Sequence, residues 1–487
     1  MAPKPTTNAV EPAPANGAMS RRAGLRLVIP ALLGLLATGC SSLESMQRAV
    51  FGGGPRQGQV GYVQGFVGSV VADEPNAALA GRDILSAGGS AADAAIATGF
   101  ALSVTLPSRA GLGGGGACVV YNPITKSVPE AFVFVPPAVA TVGGGDRRAA
   151  VPSTARGLYM MHARQGRLPI ELLLERAERL ARFGVPVSRA FARDLGLVAG
   201  PLFGDPNARA VFGRGGTYLV EGQTMTQPEL GATLAQLRVA GVGDLYQGAL
   251  SRRLVEMSAL AGVPIGQNDL RAALPTHQVP IIVRFGEDSI AFVPTEGGLA
   301  AAAAAIALRD RPGDAQTALS RSLGAAARWR AGGMNADQML ASDLASPLSA
   351  PLYPATTSFV AIDAEGSAAA CAFTMNNLFG TGRMVPGMGF LTAASPGTVT
   401  PPLLAAGIAW NPRYHAFRAA AGGSGQFGAG LAAGAALANT LRAGQPMPEL
   451  VPDPGRANVI ACSRYLPGSE SSCGAAADPR EFGLAGR

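Results

Sequence analysis

The chain has 487 residues, a formal net charge of +7 and only 15% charged side chains. That length exceeds one ordinary domain and admits two domains or one large layered one. Lysine occurs only at Lys4 and Lys126, so arginine carries the positive charge, and without a basic block or an interleaved aromatic platform the composition argues against nucleic-acid binding.

The amino terminus reads as an address over residues 1–39. Arg21, Arg22 and Arg26 precede the apolar run LRLVIPALLGLLATG, which stops at Cys40 and is short for a membrane span. Leu36-Ala37-Thr38-Gly39-Cys40 resembles a bacterial lipobox, which predicts cleavage before Cys40, lipid on its sulfur and a bacterial envelope protein facing the periplasm. An uncleaved anchor is the alternative. Met19 is a second candidate start, and SRRAGLR resembles a twin-arginine signal without its phenylalanine. Residues 40–59, rich in Ser, Gly and Gln, read as a flexible tether.

A strand is predicted near Val67–Ala72, followed by a helix in PNAALAGRDILSAGG that Gly88 and Gly89 terminate. Ser90 and Asp93 suit a capping start for a second, small-residue helix. Gly113–Gly116 reads as a turn and packing element rather than a phosphate cradle, because no Gly-Lys-Ser/Thr follows it. Residues 152–275 are mainly helical by pattern, IIVRFGEDSIAFVP reads as a hairpin, and GLAAAAAAIALRD as a buried helix. Residues 312–355 read as irregular. AGGSGQFGAGLAAGAALANTLRAG reads as a loop feeding a helix.

Cysteine and histidine spacing gives no zinc pattern: Cys118, Cys371, Cys462 and Cys473 form no C-x-x-C, and His162, His277 and His415 are scattered. Cys118 and Cys371 lie in apolar runs and read as buried small hydrophobes, whereas a Cys462–Cys473 disulfide would staple a Pro/Ser/Gly-rich tail.

The most informative segment is PATTSFVAIDAEGSAAACAFTMN, two alternating strands around a tight turn. If Ala364-Glu365-Gly366 is a three-residue loop with Gly366 left-handed, Asp363 faces Ser367 and Thr356 falls opposite Thr374. Opposed residues on one face have Cβ atoms about 4.5–5.5 Å apart, so the two hydroxyls could share a hydrogen bond. A bulge would turn one away, and opposed threonines are commonly structural.

TTSFVAID followed by FTMNNLFGTG resembles the processing site of the γ-glutamyltransferase family, where TTH…D…TLN…FGTG is typical. GLGGGGACVVYNP from Gly111, AGGSAADAAIATGFALSVTLPSRAGLGGGG from Ala87, VPSTARGLYMMHARQGRLP from Val151 and PTEGGLA from Pro294 resemble further family segments, in family order from about residue 70 to residue 430. The resemblance implies an α+β fold, the four-layer αββα sandwich of amino-terminal-nucleophile hydrolases. It implies self-cleavage between Ala355 and Thr356 into a large chain, 60–355, and a small chain, 356–487, that pair as a heterodimer. It also implies that Thr356 is the nucleophile, that Thr374 holds its hydroxyl, and that Gly422 and Gly423 in an AGGS similar to the family's PGGS form an oxyanion hole. No cofactor or metal is expected. The donor would be a small γ-glutamyl or other amide, and the acceptor water, an amino acid or a peptide.

The chemistry follows from what threonine lacks. Its hydroxyl is a poor nucleophile without a base, and an amino-terminal threonine supplies one in its own α-amine, with a reference pKa of about 7.7–8.0. Substrate contacts depart from the family pattern. Val135 stands where the carboxylate-binding arginine is expected, Leu404 and Ala405 replace a serine pair, LTAASPG replaces an aspartate-bearing segment, and Ser358 replaces histidine. Asn376 alone remains of the ammonium-binding set. Three functions are therefore compatible with the sequence: a γ-glutamyltransferase-type hydrolase or acyltransferase acting on glutathione-like amides, a family amidase or acylase with an altered acyl pocket, or a non-catalytic envelope protein that retains the fold.

Overall fold

The computed structural model describes residues 65–125, 128–140, 147–341, 355–448, 451 and 453–486. The expected signal peptide, Cys40 and the 40–59 tether lie outside the described residues, as does most of the segment before Thr356.

Two sheets form the centre. The first has the order β13-β1-β7-β8-β2-β3-β4, with β1 Gly68–Ala72, β2 Gly115–Tyr121, β3 Glu130–Phe134, β4 Thr276–Gln278, β7 Thr356–Asp363, β8 Ala368–Thr374 and β13 Leu484–Gly486. The second runs β12-β11-β10-β9-β6-β5, with β5 Ile281–Phe285, β6 Asp288–Phe292, β9 Ala405–Asn411, β10 Ala416–Ser424, β11 Arg456–Leu466 and β12 Cys473–Ala476.

Side-chain alternation sorts these strands into three cores, because successive residues point to opposite faces. Val360 and Ile362 of β7 meet Ile408 and Trp410 of β9 between the sheets. Phe359 and Ala361 point the other way, toward helices α1 (Pro75–Ser86) and α2 (Ala91–Thr105). The outer face of the second sheet, with Ala419 and Ala421, packs on α3 (Glu296–Asp310), α4 (Ala315–Ala331) and α5 (Gly428–Ala443). The result is helix, sheet, sheet, helix, as expected for this fold class.

Local expectations meet the structure unevenly. Ser90 caps α2 in a full capping box with Asp93. The hairpin over 281–292 forms in register from Ile281 opposite Phe292 to Phe285 opposite Asp288. Residues 315–331 correct the irregular reading, since AQTALSRSLGAAARWRA folds as α4 and buries Ala318, Ala325 and Ala326. Small residues weaken a periodic pattern without weakening the helix. AGGS is likewise the end of strand β10 rather than loop.

Cys118 and Cys371 are a further correction. They form a disulfide, because β2 and β8 pair antiparallel with the two residues opposite each other and their Cα atoms 4.1 Å apart. Cys462 and Cys473 pair as well, joining β11 to β12.

Candidate active site

Thr356 opens β7 and lies directly opposite Thr374, the last residue of β8. The turn does this. Gly366 adopts φ +85°, the Asp363 N–H donates to the Ser367 carbonyl at 3.1 Å, and the Asp363 carboxylate receives the Ser367 and Glu365 amides. Left-handed glycine closing a three-residue loop fixes the register of both strands.

Register places both threonines on the face between the sheets, together with Val360, Ile362 and Ala372. Thr356 is fully buried and Thr374 is 1% exposed. The Thr374 hydroxyl donates to the Ala355 carbonyl oxygen at 2.8 Å. That carbonyl belongs to the Ala355–Thr356 peptide bond itself. The Asn376 N–H in turn donates to the Thr374 hydroxyl at 2.8 Å, orienting it. Asn376 sits at φ 61°, a left-handed conformation asparagine tolerates, and its amide donates to the Ala394 carbonyl at 2.9 Å.

The second sheet contributes Gly425. Its N–H donates to the Thr356 hydroxyl oxygen at 3.2 Å. Glycine is required there: φ is +103°, and a Cβ would lie 2.4 Å from the Pro454 carbonyl oxygen. Gly422 and Gly423 lie inside β10, in register with Ala406 and Ala405 on one side and with Asn458 and Ala457 on the other. A Cβ on Gly422 would strike Ser358 across the sheets, and one on Gly423 would strike the Ala429 carbonyl of α5. Their small size seats two layers closely, and the backbone donor beside the Thr356 hydroxyl stands two residues beyond the expected pair.

Beneath β7 lies a polar cluster that sequence reasoning missed. Asp73 follows β1, is 1% exposed, and accepts the Thr357 hydroxyl at 2.9 Å and the Ser358 N–H at 3.1 Å. Asn458 of β11 donates to the other Asp73 oxygen at 2.6 Å and to the Ser358 carbonyl at 2.8 Å. Burial, reinforced by Glu481, pushes the Asp73 carboxyl up to about 6, against Arg109 and the bonds from Asn458 and Ser358. Arg109 is fully buried between Asp194, at 2.7 and 2.8 Å, and Glu481, at 2.8 Å. Burial would lower its pKa, but Asp194 and Glu481 more than reverse this, so it stays charged. An acidic residue closing an apolar strand was the available signal for Asp73. Asn458 offered none.

Of the positions that depart from the family pattern, Val135 is 36% exposed just past β3, while Leu404, just before β9, and Ala405, its first residue, are buried. The Leu404 carbonyl accepts the Thr295 hydroxyl at 2.7 Å.

The gamma-glutamyltranspeptidase family model matches residues 77–331, more than half of the chain. The chain belongs to the gamma-glutamyltranspeptidase family. It is 26% identical to glutathione hydrolase 3 of Arabidopsis thaliana over 397 residues, covering 69% of this chain and 62% of that protein. It is 30% identical to the glutathione hydrolase proenzyme of Escherichia coli K12 over 234 residues, 45% of this chain and 40% of that one. The acylase ACY 1 proenzyme of Pseudomonas sp. SE83 is 33% identical over 227 residues, 42% of this chain and 41% of that one. The matches thus span between 40% and 62% of these relatives' lengths. Among solved structures, cephalosporin acylase from Bacillus halodurans superposes with a TM-score of 0.71 at 18% identity, covering 88% of this chain and 97% of that one. The gamma-glutamyltranspeptidase of Helicobacter pylori gives 0.51 at 22% identity, covering 57% and 90%. These likenesses establish the fold, that of the amino-terminal-nucleophile hydrolases.

Proposed function

We propose that this chain is a self-processing enzyme of its family that cuts its own Ala355–Thr356 bond and then hydrolyses or transfers γ-glutamyl groups from glutathione-like amides. The observation that carries this reading is the Thr374 hydroxyl bound to the Ala355 carbonyl oxygen beside the Thr356 hydroxyl. In the first step the Thr356 Oγ bonds to the Ala355 carbonyl carbon, and negative charge develops on the oxygen that Thr374 already contacts. The C–N bond breaks, the hydroxyl proton ends on the departing nitrogen, and the amide becomes an ester. Water then adds to the ester carbon and the ester C–O bond breaks, leaving a carboxylate on Ala355 and returning the hydroxyl to Thr356, whose α-amine the first step has freed. That amine becomes the base for the same hydroxyl, which attacks the substrate carbonyl. The substrate C–N bond breaks, the proton passes to the departing amine, and the acyl-enzyme then yields its acyl group to water or an amine acceptor, with the Gly425 N–H beside the Thr356 hydroxyl as the backbone donor at hand.

Val135 supports a second reading, an amidase or acylase taking a less polar acyl group, since an exposed aliphatic side chain replaces a guanidinium at that position. Two disulfides support an exported, oxidising location, and the lipobox-like Leu36–Cys40 run supports Cys40 as its lipid anchor.

Reducing denaturing electrophoresis with amino-terminal sequencing tests the cut. The 49.1 kDa chain should give fragments of roughly 32 and 13 kDa for residues 40–355 and 356–487, the smaller beginning TTSFVAID, and Thr356→Ala should stay whole. Turnover of glutathione or a glutamyl anilide by the cleaved protein favours the first reading. Turnover of only less polar amides favours the second, and none of either leaves a non-catalytic envelope protein.

A further inference from the structure

We infer that the two products of cleavage stay covalently joined through Cys118–Cys371. The inference rests on the self-cleavage reading and adds the way its two chains are held together.

The argument is one of connectivity. Cys118 and Cys371 are separated by 253 residues, and the Ala355–Thr356 bond falls between them. Cutting that bond assigns Cys118 to the amino-terminal product and Cys371 to the carboxy-terminal one. The other disulfide, Cys462–Cys473, closes a loop of 11 residues wholly within the second product and cannot join the chains.

The cross-link is also placed where it bears on the site. Cys371 faces Cys118 on the same pair of strands in which Thr374 faces Gly115, three residues further along each strand. A slip of β8 along β2 by one residue would turn Thr374 away from the sheet interface, because the side-chain period is two. A covalent bond between opposed residues forbids that slip after the chain is cut. Both cysteines are fully buried, on the face that packs against the helices, so reagents reach the bond only when the structure opens. The linked dimer also unfolds as one molecule, which removes the dependence on concentration that two separate chains would have.

The test uses full-length protein exported to its native compartment and trapped with a thiol-blocking reagent before lysis. Denaturing gels are run with and without a dithiol, which donates two electrons and two protons to convert each disulfide to two thiols. One band without reductant and two with it are expected, together with a linked pair of proteolytic peptides carrying Cys118 and Cys371 in an unreduced digest. Two bands under both conditions, or blocked Cys118 and Cys371 in the digest, would overturn the tether while leaving self-cleavage standing. A single band under both conditions would instead overturn self-cleavage, and the tether with it. As a second arm, urea midpoints of processed wild type should not move over a hundredfold dilution, whereas those of the processed C118A/C371A variant should fall; equal behaviour would count against the tether.

Discussion

The Thr374 hydroxyl donates to the Ala355 carbonyl oxygen at 2.8 Å while lying opposite Thr356 in the hairpin register. One side chain therefore contacts the carbonyl of the peptide bond proposed to be cut. Removing a single donor to a developing oxyanion typically slows a reaction by about 10²–10³-fold. Thr374→Val keeps the strand shape and should slow appearance of the two fragments by that factor in a timed electrophoresis series. Unchanged processing would remove Thr374 from the mechanism.

Asp73 anchors the strand one residue further in. Asp73→Ala leaves the Thr357 hydroxyl and the Ser358 N–H without their acceptor in a buried setting, at about 1–3 kcal/mol for each such group. Denaturant unfolding of a non-cleaving Thr356→Ala background should show a loss of at least about 2 kcal/mol. Asp73→Asn, which retains one acceptor, should fall between.

Arg109 satisfies Asp194 and Glu481 together, with itself and Asp194 fully buried and Glu481 6% exposed. Replacing it with methionine keeps much of the volume but leaves Asp194 with only the Ser108 hydroxyl and Glu481 with only Arg456 at 3.7 Å, at about 3–5 kcal/mol. Thermal unfolding should reveal the loss. Its partial recovery in an R109M/D194L double variant would assign the cost to unpaired charge rather than to packing.

Glu296 gives a pH dependence of unusual sign. Burial, only partly offset by Arg330, raises its carboxyl from 4.5 to about 7. Between those values the folded state holds more protons than the unfolded one, so this group's contribution is full below about 4.5 and declines as pH rises toward 7. Glu296→Gln does not titrate. The variant should therefore gain stability relative to wild type from pH 4.5 to 7, by at most about 3 kcal/mol. A difference that stays flat over that interval would remove Glu296 from the pH response.

What could be read in advance was local. Loop length and one glycine sufficed to pair Thr356 with Thr374, because a tight turn transmits register along both strands. Capping at Ser90 and the hairpin over 281–292 were legible for the same reason. The Cys118–Cys371 bond, the Asp73–Asn458 contact and the Arg109 cluster join residues 253, 385, 85 and 372 positions apart. Such partners are set by which strands become neighbours, and no short window carries that information. Gly425 fell between the two cases: the glycine run was noticed, but its outermost member alone passes the strand end and meets the Thr356 hydroxyl.

The strand order of the first sheet has a consequence for the order of events. Reading β13-β1-β7-β8-β2-β3-β4 across the Ala355–Thr356 bond, the segments before and after it alternate like fingers of clasped hands: β1 is flanked on both sides by strands from beyond Thr356, and β7 and β8 are enclosed by strands from before Ala355. Neither half owns a finished sheet, and each alone would expose bare strand edges of the kind that aggregate. If the chain is cut as proposed, assembly belongs to the polypeptide while it is still one piece, and the cut would act as a ratchet. Halves synthesised from separate genes should not find this arrangement, however well the severed protein keeps it.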